Sequence, residues 1–376
     1  MSETAWKGIR SMEKSASNSA EPRILFVLHL PPPVHGPSQV GLFLRESPLV
    51  NATFQTRYLN LSGSAALEQV GHFSVRKFRT VFHLVREVRQ TVRKWKPDLV
   101  YLTPSATMPG LLKDALVARS IKGSRVILHF HNKGVKEHQD RFFMNILYRM
   151  LFKDAGVILL SRLLYPDIRK YVPEERVSYC SNGVYVPSMN RVPAAVPRIL
   201  FLSNIIRSKG VSVLVEACRL LKERGLDFHC SLVGALSADY PGDSLSAEVR
   251  EKGLEGQVVY EGPRYGEEKW DAFSKADIFV HPTLNDSFPL VVLEAMGSGL
   301  PVVTTEEGAI PEMVRDGIDG LVCPKNDPAA LAEALQKLLS DRELRTRMGK
   351  SGEARYRELY TLERFEKRIV DILKDA

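Results

Sequence analysis

The stretch His281–Thr304 holds the densest set of side chains able to do chemistry in this 376-residue chain. Its pattern predicts a strand, a turn, a short apolar helix, a glycine break and a second strand. Asp286 falls in the turn and Glu294 inside the helix, with seven residues between them. That spacing rules out a close acid–base pair by local geometry, yet it lets two carboxylates hold opposite ends of an elongated ligand. A carboxylate among apolar helical neighbours is costly unless it is paired or hydrogen-bonded. Ribose hydroxyls are suitable donors for Glu294, and an Arg or Lys partner is the alternative.

Three further segments have the right residue types. Ser203–Gly210 follows a predicted strand and opens a helix, and it carries Asn204, Arg207 and Lys209. Cations beside a helix N-terminus suit a diphosphate, because free N–H groups and the peptide dipoles attract anionic oxygens. Out of context, Arg207 and Lys209 read equally as solvated loop charges. His129 and His131 end another predicted strand; period two puts them on one face, with His131 nearer the loop. A structural histidine at a strand end is the competing reading. Leu30–Ser38 is a Pro-rich loop in which Gly36 lets backbone approach a ligand before the next helix begins.

These segments need a scaffold, and the hydrophobic rhythm supplies one. Strand-like runs fall at 23–30, 56–61, 98–102, 125–131, 156–160 and 177–180, with helical patterns between them. After the Pro-containing linker 192–197 the rhythm restarts at 198–203, 227–233, 257–261, 277–281, 301–304 and 320–322. Alternation of this kind predicts an α/β protein: two doubly wound, Rossmann-like domains with parallel sheets covered on both faces. Ligands of such sheets bind beyond the carboxyl ends of the strands, so two facing domains make one central cleft. The expected boundaries are a polar, disordered leader 1–20, a first domain 21–190, a second domain 191–356, and a C-terminal amphipathic helix 357–376 that packs back on the first.

Composition narrows the class. The chain is 44% hydrophobic and 26% charged, typical of a globular protein. No apolar run approaches the roughly 20 residues of a membrane-spanning helix, and the leader has no signal-peptide core, which makes the cytoplasm the expected compartment. Cys180, Cys218, Cys230 and Cys323 show no metal or redox spacing and read as reduced core residues. The net charge of +8 is uneven: residues 1–190 hold 27 Lys and Arg against 14 Asp and Glu, the remainder 25 against 30. Much of the basic character lies on two predicted helices, Phe73–Lys96 and Gln139–Lys153. The second sets Phe142, Phe143, Ile146, Leu147, Met150 and Leu151 near Arg141, Arg149 and Lys153, a pattern suited to an anionic membrane surface or to a core-facing stripe with solvated charges. No nucleic-acid recognition motif is present, and no dinucleotide, P-loop, nucleophile-elbow or zincin motif.

From Arg198 to about Leu339, including Gly308–Val322, the chain resembles the family-four retaining glycosyltransferases of the GT-B fold, within glycosyl transferases group 1. The resemblance implies that Glu294 binds the ribose of a nucleotide-sugar donor and Asp286 the hydroxyls of its sugar. Amides around Phe288, Leu290 and Val291 would meet the phosphates. Lys209 matches the family's diphosphate lysine, Gly36 its glycine loop, His131 the histidine beside the reacting sugar, and Asn182-Gly183-Val184 a structural turn near the domain boundary. Three positions depart from the pattern. Asp286 replaces the commoner glutamate, Pro289 lacks the N–H of the usual glycine, and Asn204 stands where a diphosphate-binding arginine is usual, which leaves that charge to Arg207.

The function so implied is hexosyl transfer with retention of configuration. The donor is a UDP-sugar or GDP-sugar acting as co-substrate, with no cofactor and no metal. The acceptor is expected to be a glycolipid or surface-polysaccharide intermediate, met by the basic N-terminal half at the inner membrane face. The alternatives are a nucleotide-sugar epimerase or a phosphorylase on the same plan, and a catalytically silent sugar-nucleotide-binding or membrane-scaffolding protein.

Overall fold

A computed structural model describes residues 21–32, 35–61 and 75–376. The expected leader 1–20 and the first residues of the expected Phe73–Lys96 helix lie outside them. Twelve strands form two sheets. The first contains β1 (Arg23–Leu28), β2 (Gln55–Asn60), β3 (Leu99–Leu102), β4 (Arg125–Phe130), β5 (Gly156–Leu159) and β6 (Val177–Tyr179), in the order β2-β1-β3-β4-β5-β6. The second contains β7 (Arg198–Leu202), β8 (His229–Val233), β9 (Val258–Gly262), β10 (Ile278–His281), β11 (Val302–Thr305) and β12 (Gly320–Cys323), in the order β12-β11-β10-β7-β8-β9. Every pairing is parallel. Consecutive residues of β1 and β10 are buried on both faces, which is why these strands read as continuous apolar runs.

Each order reverses once, between β1 and β3 and between β10 and β7. Neighbouring connections there leave in opposite directions and open a crevice at the carboxyl ends. The loops that follow β1, β3, β7 and β10 are therefore the ones placed to hold ligands.

Two helices differ from expectation. The helix expected over Gln139–Lys153 spans Phe142–Leu151, after a separate short helix Val135–His138. Its apolar residues divide: Leu147 and Leu151 are buried, whereas Phe142, Phe143 and Ile146 face solvent. The basic helix is described over Val75–Trp95. The single C-terminal helix expected over 357–376 is two, Arg342–Leu359 and Leu362–Asp375. The break is capped by Thr361, whose hydroxyl accepts the Arg364 N–H at 3.3 Å.

The last helix buries Phe365, Ile369, Val370 and Leu373 among Ile24, Phe26 and Leu44 of the first lobe. Such side chains each contribute about 1.5–3 kcal/mol when fully buried. The crossing is tight at Gly183, where a Cβ would come within 2.3 Å of the Thr361 carbonyl oxygen, so the Asn-Gly turn leaves room for this contact. The Val184 N–H donates to Tyr360 O at 3.0 Å beside it. All four cysteines are free and buried.

Candidate active site

The second sheet's crevice is flanked by the loops after β7 and β10, and their side chains meet. Lys209 ends a short 3-10 turn, Arg207–Lys209, followed by Gly210 at φ +77°. A Cβ on Gly210 would stand 1.9 Å from Pro282 O, so glycine is what lets the two loops lie together. The Lys209 ammonium reaches Asp286 Oδ2 at 2.5 Å and Asn285 O at 3.3 Å. His281 Nε2 lies 3.2 Å from the same carboxylate oxygen. Burial by itself would raise the Asp286 pKa, but the His281 contact and the Lys209 charge bring it down to about 2.

Pro289 caps the helix Leu290–Gly297 and makes no side-chain capping bond. The amides of Leu290 and Val291 open that helix, and Phe288 is buried just before it against Tyr360, ring centroids 6.2 Å apart. Glu294 lies one turn into the helix and is held by Lys269 at 2.8 Å. Burial raises its pKa and Lys269 offsets part of that. The lysine partner left open by the sequence is thus present. Lys209 and Glu294 do not touch one another's partners; each closes one end of the 286–294 segment as a separate ion pair.

Arg207 is turned away from Asp286. Its guanidinium stacks over Tyr240, 5.1 Å from the ring centroid, and its Nε donates to Asp239 O at 3.2 Å. Asn204 is exposed on the same loop.

The first sheet presents different chemistry. His131 follows β4, and its ring lies 4.1 Å from that of His129, as a shared face requires. Neither ring nitrogen of His131 has a partner, although both are buried. Burial lowers its pKa to about 3, so the ring is neutral. His129 is held by a short hydrogen bond with the Tyr101 hydroxyl. At the crevice between β1 and β3, His29 Nδ1 lies 3.2 Å from Thr103 Oγ1, and burial, then Lys113 and neighbouring histidines, bring its pKa to about 3. His35 caps the helix Gly36–Glu46 and stands edge-on to His29. A Cβ on Gly36 would meet nothing within 4 Å, so this turn borders open space.

Sequence reasoning missed the group that joins the lobes. Glu307, in the loop after β11, is buried and is shared by Lys325 at 2.6 Å, by Lys133 from the first lobe, and by the Asp286 N–H at 3.3 Å. Burial works against its ionisation, but the two lysines hold its pKa below the usual glutamate value. An acidic pair, Glu306-Glu307, between a strand and a glycine was the available signal. His281 and Lys269 were likewise missed as partners. A cavity of about 720 Å³ at the linker, lined by Tyr185, Met189, Arg191, Arg342 and Lys350 among others, contains none of these residues. That cavity is a groove beside the linker, apart from the ion pairs of the second lobe and the unpartnered His131 of the first.

Two six-stranded parallel sheets, joined carboxyl edge to carboxyl edge through Lys133 and Glu307 and tied by a returning C-terminal helix, define the GT-B class. Within that class, residues 190–355 match the family described as Glycosyl transferases group 1. The amylovoran biosynthesis glycosyltransferase AmsK of Erwinia amylovora is 33% identical over 203 residues, 51% of this chain and 49% of that protein. A D-inositol 3-phosphate glycosyltransferase of Arthrobacter sp. (strain FB24) is 35% identical over 162 residues, 43% and 38% of the two chains. The chain therefore spans less than two thirds of the length of the curated relatives it matches. Among solved structures, a sucrose-phosphate synthase from Thermosynechococcus elongatus superposes with a TM-score of 0.77 at 20% identity, covering 95% of this chain and 99% of that one. The Anabaena protein HepE, solved with UDP and glucose, gives 0.72 at 18% identity, covering 94% and 99%. Identities this low show the fold alone.

Proposed function

We propose that this chain is a retaining, metal-independent glycosyltransferase that moves a sugar from a UDP- or GDP-sugar to a hydroxyl of a glycolipid or surface-polysaccharide intermediate. The observation that carries the reading is the Lys209–Asp286 pair at the strand-order reversal of the second sheet, beside the Leu290–Gly297 helix. A lysine and a carboxylate held 2.5 Å apart neutralise each other until a ligand supplies both a diphosphate and a hydroxyl. The donor would take Lys209 on its phosphates and Asp286 on its sugar, and would draw Glu294 from Lys269 to the ribose. The Leu290 and Val291 amides add the helix N-terminus.

In the reaction the bond from the anomeric carbon to the diphosphate oxygen breaks, and the acceptor oxygen bonds to the same carbon on the same face. The acceptor proton passes to the leaving diphosphate. Charge grows on that diphosphate, so Lys209, with Arg207 once it leaves Tyr240, supplies the stabilisation a divalent ion would otherwise give. His131, neutral and with both ring nitrogens free, is suited to bind the reacting sugar's hydroxyls. Transfer from a nucleotide sugar to be measured in excess EDTA tests the proposal: activity is expected to persist, and its loss would contradict metal independence.

The acceptor side is proposed to dock on an anionic membrane at its cytoplasmic face. The helix Val75–Trp95 exposes Phe82, Arg86, Arg89, Arg93 and Lys94, and the helix Phe142–Leu151 exposes Phe142, 81% accessible, and Phe143. Both pack on the intervening helix Gly110–Ser120, so they share a layer. Among the described residues no helix is long and apolar enough to cross a membrane. A catalytically silent binding protein is the second reading, favoured by Lys269 on Glu294 and by the missing N–H at Pro289. Function in cells that survives Glu294→Ala and Lys209→Ala together would favour it.

A further inference from the structure

Lys133 and Glu307 form, among the described residues, the one ion pair that joins the two lobes. Each end is anchored. On the first lobe, Asn132 Oδ1 accepts the Ala106 N–H at 2.8 Å, and the Gly134, Val135 and Lys136 amides donate to the Asp167 carboxylate at 3.0, 3.1 and 2.9 Å. The segment carrying Lys133 is therefore fixed on both sides. On the second lobe, Gly308 at φ +56° brings the Glu307 loop against the Asp286 loop, where a Cβ would come within 2.3 Å of Asp286 O. The Ala309 N–H donates to Ser287 O at 2.9 Å, and Glu307 itself accepts the Asp286 N–H.

We infer that Lys133 is a positioning residue, a latch that closes the lobes and sets His131 at a fixed separation from Asp286. His131 lies two residues before the latch lysine, and Asp286 is hydrogen-bonded to the latch carboxylate, so no flexible segment intervenes between the pair and either group. A Glu307 that lost Lys133 would keep Lys325 and the Asp286 amide, so the second lobe stays folded and able to bind nucleotide while the cleft opens. The inference rests on the preceding reading only for its kinetic consequence.

The test uses the full chain. Because the native cysteines are buried, spin labels can be placed at Lys122→Cys and Glu251→Cys, exposed positions on the two lobes, and their separation measured by pulsed EPR. Lys133→Met is expected to lengthen and broaden that distance, and Lys133→Arg to restore it. UDP affinity should stay within about twofold, while kcat falls roughly tenfold or more and Lys133→Arg recovers most of it, as misplacement of reacting groups predicts. An unchanged distance distribution in Lys133→Met would overturn the latch, as would failure of the arginine variant to restore it. Should the unlabelled wild type transfer no sugar, the preceding reading fails, and the distance measurement still decides the latch.

Discussion

The two lobes share one architecture and differ in the charge at their carboxyl edges. The second sheet ends in paired ions: Lys209 with Asp286, Lys269 with Glu294, Lys325 with Glu307. The first ends in imidazoles that burial keeps neutral, His29, His129 and His131. Ion pairs can exchange partners with a ligand that carries both phosphates and hydroxyls, whereas a neutral buried ring binds an uncharged hydroxyl without an ionic competitor. Under the proposed function the nucleoside diphosphate would sit on the second lobe and His131 of the first would meet the reacting sugar, an arrangement that can be broken experimentally from either side.

The largest effect is expected at Lys209. Lys209→Ala should lower kcat/KM for transfer on the order of 10²–10³-fold, the usual cost of removing a group that stabilises developing charge. Steady-state kinetics with a nucleotide-sugar donor measures it, and a loss under about fivefold would remove Lys209 from the diphosphate. His131→Ala should come next, lowering kcat about 10²-fold with UDP affinity unchanged. Equal weakening of UDP binding in that variant would erase the division between lobes.

The histidines also predict a pH dependence. His29 and His131 fall from an ordinary 6.5 to about 3 in the folded chain. The unfolded chain then binds more protons between those values, so stability is full above about pH 6.5 and is lost as pH falls toward 3. Asp286, depressed to about 2, adds its contribution above about pH 4 and loses it only as pH falls through about 2. Denaturant midpoints at pH 7 and 5 should therefore differ less in a His29→Gln, His131→Gln variant than in the wild type; the same slope in both would show that other groups carry it. The smallest effect expected is at the surface: Phe142→Ser with Phe143→Ser should reduce co-sedimentation with vesicles containing anionic lipid, more at high salt than at low. Unchanged partitioning would leave the exposed aromatics without that role.

The fold was readable because a buried parallel strand is a continuous apolar run and a covering helix repeats at a different period, so twelve strands emerge from spacing alone. The positions of Lys209 and Asp286 were readable for a related reason, since both follow strands and the carboxyl edge gathers such loops. What pairs with what was not. Lys269 lies 25 residues from Glu294 and Lys133 lies 174 from Glu307, and nothing periodic links them. The turn of Arg207 toward Tyr240 depends in the same way on a loop brought in from Asp239. The break before the last helix was more accessible, because Thr361 is a good N-cap, but the amphipathic stripe continues across it and hides the stop.

In the proposed reaction a nucleoside diphosphate would displace carboxylates from lysines at the second sheet's edge and leave the first sheet's histidines uninvolved. Calorimetric titration of UDP and GDP into the wild type, Lys209→Ala and His131→Ala tests it directly. Binding of one nucleotide is expected to weaken at least about tenfold in Lys209→Ala and to stay within about twofold in His131→Ala. Binding untouched by Lys209→Ala, or lost in His131→Ala alone, would contradict it.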